Sequence, residues 1–300
     1  MFDETIKNKR KTAAIVTVFT IFIGVIVYSI AYIFSEGSFF AFTIAMIFAI
    51  ASSIGAYYNC DKVVLSMSNA SPATFEQNQR MIENLEGLCI AAGLPVPKLY
   101  IVEDSAPNAF ATGRDPEHAV ICVTTGLLDK LNDYELEGVL AHELSHIKNF
   151  DIRLQTVITV MVGFVTILAD IFLRMGFRSS RRKSDNDSSS GAEVVIAIIG
   201  LIFLVISPIV AQLIKLMLSR NREYLADSSA VELTRNPQGL IDALIKISGD
   251  QEPLEVANKS TANLYICNPF KGQDAQSFLN KLFATHPPIE ERINALRNIH

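Results

Sequence analysis

The run His142-Glu143-Leu144-Ser145-His146 sets two imidazoles four residues apart with a carboxylate beside the first. On an α-helix that spacing is about 400° of rotation, so both rings leave one face a turn apart and fit two corners of a metal tetrahedron. Glu143 then lies where its carboxylate reaches water at the metal without being a ligand itself. These are two of five histidines in the chain. Leu140, Ala141, Leu144 and Ile147 around them describe a half-buried helix, where polar groups without partners would be costly. A chance match on a polar helix face is the weaker reading.

A hydrolytic zinc site keeps one position open, so a third protein ligand is needed. Glu223, in Arg222-Glu223-Tyr224-Leu225-Ala226-Asp227, is the candidate. Spacing alone weighs it evenly against an ordinary exposed helix carboxylate. Asp227, one turn further on, is placed to take the second N–H of a ligating histidine, which fixes the tautomer and raises basicity.

These groups need helices to carry them. Asn132 precedes a helical pattern with Glu135 three residues later, a variant of the capping box. Leu136, Val139, Leu140, Leu144 and Ile147 continue it straight towards an apolar run. Upstream, Ala73–Leu94 has helical spacing, with Ser71-Pro72 as its start and Gly93 as its end. Lys98–Val102, Asn108–Thr112 and Ala119–Thr124 are β-like runs separated by turn residues, and the polar stretch Asp61–Ser71 precedes them all. Ser219–Thr234, Pro237–Ser248, Asp274–Phe283 and Pro288–Ile299 look helical.

Half of the 300 residues are hydrophobic and mean hydropathy is +0.30, which points to membrane segments. Thr12–Phe34 and Phe39–Tyr58 each match the roughly 20 apolar residues that cross a bilayer. The first is too long for a signal peptide and lacks a cleavage site. Ile152–Leu173 and Val194–Ile214 are further candidates, joined by the Ser- and Arg-rich loop Arg178–Gly191. About four spans are expected. If helices run straight out of the second pair, the histidines and Glu223 stand at about 15 Å from one bilayer face. A net charge of −5 gives no footprint for nucleic acid. Cys60, Cys89, Cys122 and Cys267 have no paired spacing and suit reduced thiols.

The ordered combination of paired N-terminal spans, Asn108-Ala109-Phe110-Ala111-Thr112-Gly113, the His142–His146 motif, a second hydrophobic pair, Glu223 with Ala226-Asp227, and Thr285-His286-Pro287-Pro288 resembles the HtpX-like membrane zinc metalloproteases. These lie in the superfamily that includes the CAAX prenyl proteases. The likeness covers essentially the whole chain. It implies an α+β, mainly helical integral membrane protein with a gluzincin-like peptidase domain and a small sheet. It implies one Zn2+ per subunit on His142, His146 and Glu223, and substrate lying extended on Asn108, Ala109, Phe110, Ala111 and Thr112 as an edge strand. His286 and Arg292 resemble residues that stabilise the tetrahedral intermediate, although in isolation they are a loop histidine and a solvated helix charge.

On that basis residues 1–60 form an N-terminal transmembrane pair, 61–151 the first part of the peptidase domain, 152–218 a second transmembrane pair, and 219–300 the part with the third ligand. The expected activity is peptide hydrolysis with zinc-activated water and Glu143 as general base. The expected substrates are damaged membrane proteins, in quality control. Lys7, Lys9, Arg10 and Lys11 favour a cytosolic N-terminus and a cytosolic site at the plasma membrane; Arg174, Arg178, Arg181, Arg182 and Lys183 oppose it. A narrow-specificity processing peptidase is the nearest rival. A non-catalytic scaffold would need a fourth ligand, for which His118 is the unassigned histidine.

Overall fold

The computed structural model describes residues 2–35, 39–164, 167, 220–258, 260–271 and 287–299. The chain opens with two long helices, α1 (Phe2–Ser35) and α2 (Phe39–Tyr58), and a short α3 (Cys60–Met67). The strand β1 (Ser71–Pro72) and helix α4 (Phe75–Ala92) follow, then β2 (Lys98–Val102), β3 (Ala109–Gly113) and β4 (Ala119–Thr124). Next come α5 (Thr125–Lys130), α6 (Asp133–Lys148) and α7, described over 151–164. The last described helices are α8 (Arg220–Thr234), α9 (Pro237–Gly249) and α10 (Ile289–Arg297). The expected helix Asp274–Phe283, the loop Arg178–Gly191 and the fourth apolar run fall outside the described residues.

The four strands stand in the order β1-β2-β4-β3. The central pair β2 and β4 is parallel, and both outer pairings are antiparallel. β4 is buried throughout and reads Ala-Val-Ile-Cys-Val-Thr, the β-branched composition of a strand covered on both faces. Alternation sorts its side chains: Ile121 and Val123 join Leu85, Leu140 and Leu144 under α4 and α6, while Val120 and Cys122 join Val64, Phe110 and Tyr265 on the other side.

α6 begins where the sequence indicated. The Asn132 side chain accepts from Glu135 N, and Glu135 Oε2 accepts from Asn132 N at 2.7 Å, completing the capping box. Gly138 lets α9 lie directly against it, because a Cβ there would sit 2.8 Å from Leu240 N.

Three expectations are corrected. Ser71–Pro72 does not start a helix but pairs with Tyr100 and Ile101 as an edge strand, leaving Thr74 as the residue before α4. The polar stretch Asp61–Ser71 is largely helical, since Cys60, Val64 and Leu65 form one buried face. Nor does α6 run straight on. It stops at Lys148, and Phe150 has φ of +59°, a left-handed conformation that breaks the helix axis before α7 begins. Beyond the break, α7 buries Gln155, Thr156 and Thr159 as well as its apolar residues. Counted over the described residues alone, no helix is long and apolar enough to cross a membrane.

Candidate active site

Four separate elements converge on one buried cluster. α6 supplies His142, Glu143 and His146, α8 supplies Glu223 and Asp227, α10 supplies Arg292, and the first residue of α7 supplies Asp151. All seven side chains are buried. The two Nε2 atoms of His142 and His146 face each other at 3.2 Å. Glu223 Oε2 lies 3.8 Å from His142 Nε2, and its Oε1 lies 3.7 Å from His146 Nε2. Zinc–nitrogen bonds of about 2.0–2.1 Å at tetrahedral angles set neighbouring donors roughly 3.3 Å apart. His142, His146 and Glu223 form a group able to hold a metal ion, the one such group among the described residues.

Each imidazole is held from behind. His142 Nδ1 is 2.9 Å from Asp227 Oδ1, and His146 Nδ1 is 3.1 Å from Asp151 Oδ2. A carboxylate on each Nδ1 places the ring proton there and leaves both Nε2 lone pairs for a metal. Arg292 is wholly buried and grips Asp227 with two bonds, Nε to Oδ2 at 2.8 Å and Nη2 to Oδ1 at 2.6 Å. Its Nη1 donates to Ile266 O at 3.0 Å.

A sequence profile of Peptidase family M48 matches residues 74–300, which takes in every one of these residues. The chain belongs to peptidase family M48. It is similar over its full length to curated relatives described as "Protease HtpX homolog". That of Dictyoglomus thermophilum is 46% identical over 297 residues, 99% of this chain and 94% of the relative. That of Ligilactobacillus salivarius is 41% identical over 299 residues, all of both chains. The fold is also similar to the crystal structure of S. mikatae Ste24p, with a TM-score of 0.52 and 19% identity, covering 99% of this chain and 67% of that one. The M48 chain is a metallopeptidase, a hydrolase.

The charge in the M48 cluster matches a divalent cation. Among the described residues the cluster holds four buried carboxylates, Glu143, Asp151, Glu223 and Asp227, and two buried guanidinium groups, Arg222 and Arg292. With both imidazoles and all four carboxylates deprotonated these groups would carry two negative charges, which burial penalises heavily unless protons or a metal cation join them. The donor set of two imidazoles and a carboxylate suits zinc.

Protonation follows the same geometry. Burial lowers His142, helped by the Arg292 charge and opposed by its bond to Asp227, and it settles at about 4. Burial works against the His146 cation too, but the Asp151 hydrogen bond and the charges of Glu223, Asp151 and Glu143 raise it to about 9. A divalent cation has to displace that proton. Burial pushes the Glu143 carboxyl up to about 7, with Glu223 adding to the rise, while His146, Arg292 and the backbone N–H of Ala111 pull it down. Asp227 is opposed by burial yet held down at about 2 by Arg292 and His142.

The structure brings together His142, Glu143, His146, Glu223, Asp227 and Arg292 of the residues expected from sequence. Arg292 is no solvated helix charge. His286 lies outside the described residues. His118 sits on an exposed 3-10 turn with its Nδ1 2.6 Å from Asp115 Oδ1, so the scaffold reading loses its fourth ligand. β3 is an edge strand, one residue later than expected at Ala109–Gly113, but it is covered: Ile266 N donates to Ala109 O at 2.9 Å, and Thr156 Oγ1 accepts from Gly113 N at 3.1 Å. Asp151 was missed, although a carboxylate opening an apolar run five residues after a ligating histidine was a usable signal. The four cysteines are free and buried, and burial raises each thiol.

Proposed function

We propose that this M48 metallopeptidase is a membrane-embedded zinc endopeptidase that cleaves damaged or misfolded membrane proteins from the cytosolic side. The observation that carries the zinc reading is the facing pair of Nε2 atoms beside Glu223. His142, His146 and Glu223 would hold one zinc per subunit. When bound, zinc supplies a Lewis acid that brings the pKa of water down to about 7.

The remaining roles belong to the chain. Glu143 accepts the proton of the attacking water and passes it to the leaving amine nitrogen. Asp227 and Asp151 hold the imidazoles in the tautomer that presents Nε2. Arg292 directs three of its five N–H groups to Asp227 and Ile266 and stands 3.7 Å from Glu223, which supports an orienting and charge-balancing role beside the oxyanion role that the resemblance implies. His286 is the other candidate donor to that oxyanion. Substrate would add to the outer edge of β3, along Asn108–Thr112, by displacing the Ile266 contact.

Membrane insertion rests on the N-terminal pair. α2 carries no charged side chain over 20 residues and measures about 30 Å, the thickness of a hydrocarbon core. Over the full sequence Thr12–Phe34 and Phe39–Tyr58 have the length and apolarity of bilayer spans. Val18, Ile21 and Val25 of α1 and Phe40, Ile44, Ile47 and Phe48 of α2 are exposed, an apolar belt that lipid would cover. The second pair of spans and the cytosolic orientation rest on sequence.

The covered β3 edge favours one alternative, a processing peptidase of narrow specificity. Cleavage of casein by the detergent-purified chain separates the two. The wild type is expected to cleave and Glu143→Gln to fall by at least about 10²-fold. An equally active Glu143→Gln would remove Glu143 as the base, and a zinc-loaded wild type inert on casein would favour the processing reading.

A further inference from the structure

Lys7-Asn8-Lys9-Arg10-Lys11 reads in sequence as a basic flank that sets the orientation of the first apolar run. One residue in it behaves differently. Asn8 is 1% exposed among exposed neighbours, and Thr12, one turn on, is also buried and donates to Asn8 O at 2.9 Å. The start of α1 is therefore docked against protein.

What it docks against is the back of the metal cluster. Asn8 Nδ2 donates to Asp151 Oδ1 at 2.8 Å and lies 3.3 Å from Asn149 O. Asp151 Oδ2 accepts from His146 Nδ1, and Arg222 Nη1 stands 3.4 Å from Asp151 Oδ1. Lys9 Nζ sits 4.4 Å from the centroid of the Phe150 ring, on the residue whose left-handed backbone separates α6 from α7. Asn8 and Lys9 thus grip both sides of that break. The Asn8 Oδ1 atom has no hydrogen-bond partner among the described residues, so the side chain serves here purely as a donor.

Asp151 Oδ1 takes its short bond from Asn8 at 2.8 Å and a longer one from Arg222 at 3.4 Å. The shorter donation does more to fix the carboxylate plane that His146 meets, and it adds no charge to that already supplied by Arg222. We propose that Asn8 is a positioning residue of the metal centre: the start of α1 holds Asp151, Asp151 holds His146, and metal is retained at full affinity only with this arm docked.

The proposal rests on the zinc reading above, and the test separates the two. Zinc affinity of the full-length, detergent-purified chain would be measured by chelator competition for wild type, Asn8→Asp, Asn8→Ala, Asp151→Asn and the double exchange Asn8→Asp/Asp151→Asn, alongside the visible spectrum of each cobalt-substituted protein. Asn8→Asp puts a second carboxylate against Asp151 and should weaken zinc binding about 10–100-fold with an altered cobalt spectrum; Asn8→Ala should weaken it less. The double exchange restores a donor at 151 facing an acceptor at 8 while leaving a carbonyl for His146, and should recover most of the loss. Wild-type affinity and spectrum in Asn8→Asp, or a double exchange as weak as the product of the single losses, overturns the proposal. If Asn8→Asp does not fold, Asn8→Ala decides, and wild-type affinity there also overturns it. A wild type that binds no zinc overturns the zinc reading instead.

Discussion

Asp227→Asn keeps the shape of a buried side chain and removes its charge. In the folded protein Asp227 accepts two bonds from a wholly buried Arg292 and faces His142 Nδ1 at 2.9 Å. Breaking one side of a buried pair costs about 3–5 kcal/mol, because the remaining charge stays desolvated. The proton linkage gives an independent figure. A carboxyl held at about 2 in place of 3.8 contributes about 2–3 kcal/mol near neutral pH. Its sign is that of a depressed acid: the stabilisation is complete above pH 3.8 and is lost as pH falls through 2. Both figures point to a lowering of the midpoint by on the order of 10 °C for a chain of this size. Thermal unfolding of chelator-stripped protein at pH 7 reads that shift, and chelator competition reads a zinc affinity about 10–100-fold weaker. A midpoint and a zinc affinity both equal to wild type would refute the role given to Asp227.

Zinc affinity should itself depend on pH. His146 in chelator-stripped protein carries a proton up to about pH 9, so affinity is expected to fall about tenfold per unit from pH 9 to pH 7 as one proton is displaced, and a flat chelator-competition profile would contradict this. The same raised pKa stabilises the stripped fold fully below pH 6.5 and is lost as pH rises through 9, which thermal unfolding across that window checks. Gly138→Ala drives a Cβ into the Leu240 backbone at 2.8 Å and should cost about 1–3 kcal/mol; an unchanged unfolding midpoint would show that α6 and α9 can separate freely. Asn132→Ala removes the cap on α6 and should cost about 1 kcal/mol, measured the same way.

The parts of the fold legible in sequence are those written locally. β2 and β4 fall on the expected bounds because short β-branched runs between turn residues carry their own signal. The Asn132 and Glu135 pair announces α6 because both halves of the box lie within one turn. His142 and His146 were readable for the same reason. Glu223 was readable by spacing only as an even choice and otherwise through the family resemblance, since its partner ligands are on another helix. The straight-helix argument that put it level with them fails at Phe150, and the ligands meet because α6 and α8 pack directly. Nothing in Lys148-Asn149-Phe150-Asp151 announces a left-handed Phe. Arg292 follows Glu290 and Glu291 and reads as a surface charge; only the convergence of α8 and α10 reveals it as buried. Asn8 and Asp151 are 143 residues apart, and a polar contact at that range leaves no trace in periodicity.

The central claim is that two imidazoles and Glu223 hold one zinc. X-ray absorption at the zinc edge on the purified chain tests it most directly. One zinc per chain, with nitrogen and oxygen neighbours at about 2.0–2.2 Å and no sulfur at about 2.3 Å, together with loss of metal in Glu223→Ala, is the expected result. A sulfur neighbour, or a Glu223→Ala protein that keeps its zinc and an unchanged spectrum, would contradict it.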